Sequence, residues 1–186
     1  ADSIEGDIGD DYIEGGDGDD TLYGETSGYG GTGDDTLKGG AGDDYIHGGS
    51  GIDSLMGEEG NDTLYSYAGD STLDGGSGND RLDVYLGNNT LVGGDGDDTI
   101  SGGMGDDSML GESGDDSFAL ADDFGSDTIV GGETGETSGD TLDLRNITSD
   151  LTIDLTSADA EAGSFTDGTS TGTFTEIENI RLGGGA

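Results

Sequence analysis

Apolar residues return at every ninth position from Ile4 to Phe118. Ile4, Ile13 and Leu22 set the phase, and after one longer step Leu37, Ile46, Leu55, Leu64, Leu73, Leu82, Leu91, Ile100, Met109 and Phe118 continue it. Self-similarity at a fixed period is the signature of a stacked-repeat architecture. With the apolar residue as eighth position, typical units are 15–23 (GGDGDDTLY), 39–47 (GGAGDDYIH) and 93–101 (GGDGDDTIS). The pattern predicts a tight turn over the first six positions and a short strand over the last three, with two units to a coil. The eighth side chain points inward and its strand neighbours outward, because successive strand residues face opposite sides.

Two units per coil place every second turn on the same edge. One edge carries sixth-position residues Asp2, Asp20, Asp44, Asp62, Asp80, Asp98 and Asp116; the other carries Asp11, Asp35, Asp53, Ser71, Asn89 and Asp107. The interval is 18 residues throughout, except for one step of 24 on each edge, and a single six-residue insertion near 26–31 explains both.

Composition raises a physical problem. The chain of 186 residues has 44 acidic and 4 basic side chains, a formal charge of −40, 42 glycines and no proline, cysteine or tryptophan. Without the repeat, such a balance would read as a disordered acidic tail. Ordering each residue costs about 1–2 kcal/mol, and glycine loses the most freedom. Only 28% of the residues are hydrophobic, so burial alone is insufficient and a cation is expected to contribute. The absence of cysteine excludes a disulfide framework and a thiolate zinc site. No apolar run approaches the roughly 20 residues of a membrane-spanning helix, and no cleavable leader is visible. Four basic residues cannot neutralise a phosphate backbone, which argues against nucleic acid. The opening alanine reads as a cut within an array.

The nonapeptide Gly-Gly-x-Gly-x-Asp-x-U-x, with U apolar, resembles the calcium-binding repeat of RTX proteins. The resemblance is close over residues 1–119 and looser to about residue 143. It implies an all-β chain folded as a right-handed parallel β-roll, with Ca2+ in two rows between stacked turns. Calcium takes six to eight oxygen ligands at about 2.3–2.6 Å. Backbone carbonyls and the sixth-position aspartates would supply them. The candidate ligands are Asp2, Asp11, Asp20, Asp35, Asp44, Asp53, Asp62, Asp80, Asp98, Asp107 and Asp116, with Asp127 and Asp140 in the looser region. The resemblance further implies type I secretion of an unfolded chain that folds outside the cell.

Two adjacent turns on one edge break the rule. Units 66–74 (SYAGDSTLD) and 84–92 (VYLGNNTLV) have Ser71 and Asn89 in place of the aspartate, and set Tyr67 over Tyr85 and Ala68 over Leu86. Calcium is expected to be missing there, with an apolar-aromatic ladder in its place. The Tyr67, Tyr85 and Leu86 patch reads first as local compensation and second as a contact for sugar or protein. Residues 120–143 read as degenerate terminal coils with longer turns. The segment 144–186 reads as a β cap or a linker to further repeats of a longer chain. Within it, 151–155 (LTIDL) is a half-buried strand, and Phe165, Phe174, Ile177, Ile180 and Leu182 complete a hairpin layer.

Catalytic chemistry is not signalled. His47 is the lone histidine and falls at an outward ninth position; paired acids such as Asp19 and Asp20 are explained by the repeat. Lys38, Arg81, Arg145 and Arg181 are scattered. The expectation is a non-enzymatic calcium-dependent structural module of an extracellular or cell-surface protein. Its alternative is a carbohydrate-binding or adhesive module attached to a polysaccharide-modifying enzyme or adhesin, with Tyr12, Tyr23, Tyr45 and Tyr65 joining the tyrosine patch. Ice binding is disfavoured because the outward third and fifth positions are irregular and charged.

Overall fold

The computed structural model describes residues 1–25, 32–132, 134–155 and 161–183, so the insertion expected at 26–31 lies outside the described residues. The chain is all-β and forms a right-handed parallel β-roll in which successive strands alternate between two sheets. One sheet runs from Ser3–Asp7 through Thr21–Glu25, Tyr45–His47, Thr63–Ala68, Arg81–Leu86, Thr99–Ser101 and Ser117–Ala121 to Thr141–Asn146 and Asn179–Leu182. The other starts at Tyr12–Asp17 and continues through Thr36–Ala41, Ser54–Glu59, Thr72–Ser77, Thr90–Asp95 and Ser108–Ser113 to Ser126–Val130. Register follows the repeat: Leu64 pairs Leu82 and Leu82 pairs Ile100 in one sheet, while Leu73 pairs Leu91 and Leu91 pairs Met109 in the other.

The division of each unit differs from the expected six-residue turn and three-residue strand. Thr72–Ser77 covers positions seven to nine of one unit and one to three of the next, and most strands of the roll do the same. Pairing persists because the fourth-position N–H still reaches the third-position carbonyl one coil on, as from Gly60 to Ser77 at 2.8 Å and from Gly78 to Asp95 at 2.7 Å. The sharp bend is confined to positions four to six. The fourth position there takes a left-handed backbone, with φ of 127° at both Gly69 and Gly78, which glycine adopts without penalty.

The core is one side chain wide on each sheet. Leu22, Leu37, Ile46, Leu55, Leu64, Leu73, Leu82, Leu91 and Ile100 are completely buried, each contributing about 1.5–3 kcal/mol by leaving water. Past Phe118 the core widens. Phe124, Phe165 and Phe174 pack together, with ring centroids 5.1 and 6.5 Å apart.

Thr171–Thr175 adds in parallel to Ser126–Val130, and Gly163–Thr166 and Thr152–Asp154 then continue antiparallel. Phe165, Phe174 and Ile177 are buried and Ile180 packs partly against the core, but Leu182 is solvated. Leu182 therefore does not complete the layer, because its strand is the last of the sheet among the described residues. Around 151–155 the strand is Thr152–Asp154, with Ile153 partly buried and Leu155 exposed. No helix among the described residues is long and apolar enough to cross a membrane.

Candidate metal centres

The sixth-position residues stand in two continuous ladders. On one edge, each accepts at Oδ1 the backbone N–H of its counterpart one coil earlier: Asp44 from Asp20, Asp62 from Asp44, Asp80 from Asp62, Asp98 from Asp80 and Asp116 from Asp98, at 2.7–2.8 Å. Asp2 opens this ladder at the exposed end by donating to Asp20. Asp140 extends it by accepting from Asp116 at 2.6 Å. The other edge runs Asp11, Asp35, Asp53, Ser71, Asn89, Asp107 and Asp127. Asp127 and Asp140 thus occupy ladder positions despite their irregular spacing.

Using Oδ1 for the ladder leaves Oδ2 to face the turn. In eleven of these aspartates (Asp11, Asp20, Asp35, Asp44, Asp62, Asp80, Asp98, Asp107, Asp116, Asp127 and Asp140) Oδ2 is buried and has no hydrogen-bond partner. A buried, unpaired carboxylate oxygen is costly in a folded protein. The repetition of this orphan along both edges fits a cation as the partner of Oδ2. The first-position glycine makes the space for it. A Cβ built on Gly57 would lie 2.3 Å from Asp62 Oδ2 and 2.4 Å from the Gly75 carbonyl oxygen, and one on Gly75 would lie 2.4 Å from Asp80 Oδ2 and 2.6 Å from the Gly93 oxygen. Carboxylate and carbonyl oxygens from neighbouring coils therefore converge on a pocket that any side chain would fill. This all-oxygen donor set suits a hard divalent cation such as calcium.

Burial opposes ionisation in these pockets. Desolvation pushes Asp53, Asp80, Asp107 and Asp116 up to about 6, Asp62 and Asp140 to about 7, and Asp98 and Asp127 to about 8. Asp35 and Asp44 are raised for the same reason. The ladder N–H donated to each carboxylate pulls the other way, and neighbouring aspartates add repulsion.

The two irregular turns carry the expected stack of Tyr67 on Tyr85 on their outer side, while protein donors close the position that the glycine pocket takes elsewhere. Ser66, in the first position, is buried with its hydroxyl 3.0 Å from that of Ser71 and 3.3 Å from Asp53 Oδ2. Asp53 therefore lacks the orphan found at its neighbours. Ser71 Oγ donates to the Gly51 carbonyl at 3.3 Å, and Asn89 Nδ2 donates to the Gly87 carbonyl and to Asp107 Oδ1, both at 3.0 Å. Val84 fills the next first position and is buried. Tyr67 and Tyr85 lie outside, stacked at 5.4 Å with planes 17° apart and each 46% exposed. Leu86 is half-buried and bridges to Met104. Leu120, also buried, stands in the first position of the coil that holds Asp127, so that turn lacks the glycine pocket as well.

Two arrangements had weaker sequence signals. Fifth-position residues form a second, outer ladder of opposite polarity, each accepting from the following coil: Asp43 from Asn61, Asn61 from Asn79, Asn79 from Asp97 and Asp97 from Asp115. The recurrence of Asp and Asn at that position was its only trace. His47 is also not a plain surface residue. Its ring lies 4.9 Å from Tyr65 and 5.9 Å from Tyr23, and burial holds its pKa below the usual imidazole value.

No curated protein matches the chain. The family model of the RTX calcium-binding nonapeptide repeat matches residues 1–26, 28–55, 47–82, 56–90 and 83–118. These matches span the same coils that carry the paired ladders and glycine pockets, and the chain belongs to the RTX calcium-binding nonapeptide repeat family.

Proposed function

We propose that the chain is a calcium-dependent folding module of an extracellular protein, exported by type I secretion as an open chain and closed into a roll by calcium outside the cell. In this reading residues 1–119 are the roll, 120–143 its degenerate last coils and 144–186 a cap or a lead into more repeats. The observation that supports it is the recurring buried Oδ2 without a partner. Calcium ions between coils would complete these positions and offset a formal charge of −40. Extracellular modules of this type bind calcium at about 10⁻⁴–10⁻³ M, so a cytosol poor in calcium would leave the chain expanded by self-repulsion. The residues we assign as ligands are the sixth-position aspartates, with the first edge from Asp20 to Asp140 as a continuous row. The second edge is interrupted at Ser71 and Asn89 and weakened at Asp127 by Leu120. The test is a count of bound ions by native mass spectrometry in calcium and in magnesium. Several calcium ions per chain are expected, with magnesium, which demands stricter geometry, taken up poorly; a chain holding one ion or none would refute the proposal.

A second reading is supported by the outward side chains of the first sheet. Tyr23, Tyr45, His47, Tyr65, Tyr67 and Tyr85 all face outward from its neighbouring strands. Such a band of aromatic rings fits the faces of a polysaccharide. Double replacement of Tyr67 and Tyr85 by alanine is expected to reduce retention on acidic or neutral glycan columns at least tenfold. Equal retention of the variant and the parent chain would remove the tyrosine pair from the surface.

A further inference from the structure

The first-edge ladder does not stop at Asp140. Asn179–Leu182, the last strand of the first sheet, pairs in parallel with Thr141–Asn146, with Thr141 opposite Asn179 and Leu142 opposite Ile180. That register sets Glu178 one coil beyond Asp140, just as the pairing of Ser117 with Thr141 sets Asp140 beyond Asp116. The hydrogen bonds repeat too. The Asp116 N–H donates to Asp140 Oδ1 at 2.6 Å, and the Asp140 N–H donates to Glu178 Oε2 at 2.5 Å. Thr141 N–H reaches the Asp116 carbonyl at 2.8 Å, and Asn179 N–H reaches the Asp140 carbonyl at 2.9 Å. A glutamate 38 residues downstream occupies the place of a repeat aspartate.

The pocket is repeated as well. A Cβ on Gly111 would lie 2.1 Å from Asp116 Oδ2 and 2.6 Å from the Gly131 carbonyl oxygen; a Cβ on Gly131 would lie 2.0 Å from Asp140 Oδ2 and 1.9 Å from the Glu176 carbonyl oxygen. Glu176, whose φ of 58° is left-handed, thus supplies the carbonyl that a first-position glycine supplies elsewhere. Asp140 is completely buried and its Oδ2 has no partner. A third carboxylate joins them: the ligand atoms of Glu136, Asp140 and Glu178 all lie within 4.8 Å of one another.

We propose that Glu136, Asp140 and Glu178, with the Glu176 carbonyl, form a terminal calcium site outside the nonapeptide pattern that fastens the last strand to the roll. The inference rests on the calcium reading above and adds ligands that no repeat contains. Carboxylates this close repel one another, and a cation among them relieves that repulsion. Oxygen donors from two separated stretches, 136–140 and 176–178, are what calcium's flexible coordination accepts.

The test uses the 186-residue chain, native mass spectrometry and hydrogen exchange in millimolar calcium. Glu178→Gln is expected to bind one calcium ion fewer and to lose amide protection across 161–183, while 36–118 stays protected. Glu178→Asp, which keeps the carboxylate and has the length used in the other rungs, is expected to restore the ion count. The parent chain provides a readout independent of variant folding, since calcium should raise protection at 161–183 together with the roll. An unchanged ion count in Glu178→Gln, or a parent chain in which calcium protects 36–118 but not 161–183, overturns the terminal site alone. A parent chain that binds no calcium and gains no protection anywhere overturns both readings.

Discussion

Stripped of calcium at pH 8, the chain is expected to lose most of its β-sheet circular dichroism and to expand to the dimensions of an open polyelectrolyte. Millimolar calcium should restore both cooperatively. The reason lies in the buried row: Asp62, Asp80, Asp98 and Asp116 would each have to carry a charge with one oxygen unpaired, beside a like charge one coil away. Binding and folding then become one equilibrium.

Acid should partly replace the metal. Without calcium, the folded roll holds these carboxyls at about 6 to 8, above their ordinary value of 3.8. Between those limits the roll binds more protons than the unfolded chain does, so its stability falls as pH rises. The proton-linked contribution is complete below about pH 4, by the carboxylate reference, and is lost through pH 6–8. Chelated protein should therefore gain sheet signal on acidification from pH 8 to 5. The calcium midpoint should move the other way, to higher concentration, because binding must displace those protons. Sheet content that is unchanged by chelation at pH 8 would contradict the account.

The second large effect is expected from Gly57→Val. Its Cβ would enter the space between Asp62 Oδ2 and the Gly75 carbonyl oxygen, 2.3 and 2.4 Å away. Overpacking of a closed site costs about 1–3 kcal/mol, and the cation we propose between coils would be displaced as well. The variant should bind at least one calcium ion fewer and need several-fold more calcium to reach its folding midpoint. Ser66→Ala, at the equivalent position of an interrupted turn, removes only hydroxyl hydrogen bonds and should cost about 0.5–1.5 kcal/mol with no change in ion count. Calcium titration followed by circular dichroism measures the midpoints, and native mass spectrometry counts the ions. Equal ion counts for Gly57→Val and the parent chain would show that the pocket holds no metal.

The roll was legible in the sequence because its two ladders are written at fixed intervals. Leu22 to Phe118 marked the inward face, and the steps of 18 and 24 between aspartates set the register that Asp20 and Asp44 adopt. Spacing gave no access to Glu178, because a hairpin intervenes and the residue type changes while the backbone register does not. Position type alone also hid the inward course of Ser66, Val84 and Leu120: strand alternation carries the first position to the same face as the eighth, which becomes visible only once the strand continues past the ninth. The same extension explains the misplaced boundary between turn and strand. His47 faces outward as its ninth position implies, and the flanking coils bring Tyr23 and Tyr65 against its ring, which spacing alone does not reveal.

The glycines at positions one and four answer to different constraints, and this makes the array editable. Ser66 and Val84 replace the first glycine, whereas Gly69 and Gly87 retain the fourth at φ of 127° and 117°. Volume can therefore be traded against metal at one place while handedness is preserved at the other. A coil can exchange a carboxylate pocket for a hydrogen-bonded rung without altering its strand register. The calcium threshold of such a solenoid is then adjustable rung by rung, with no redesign of its overall path.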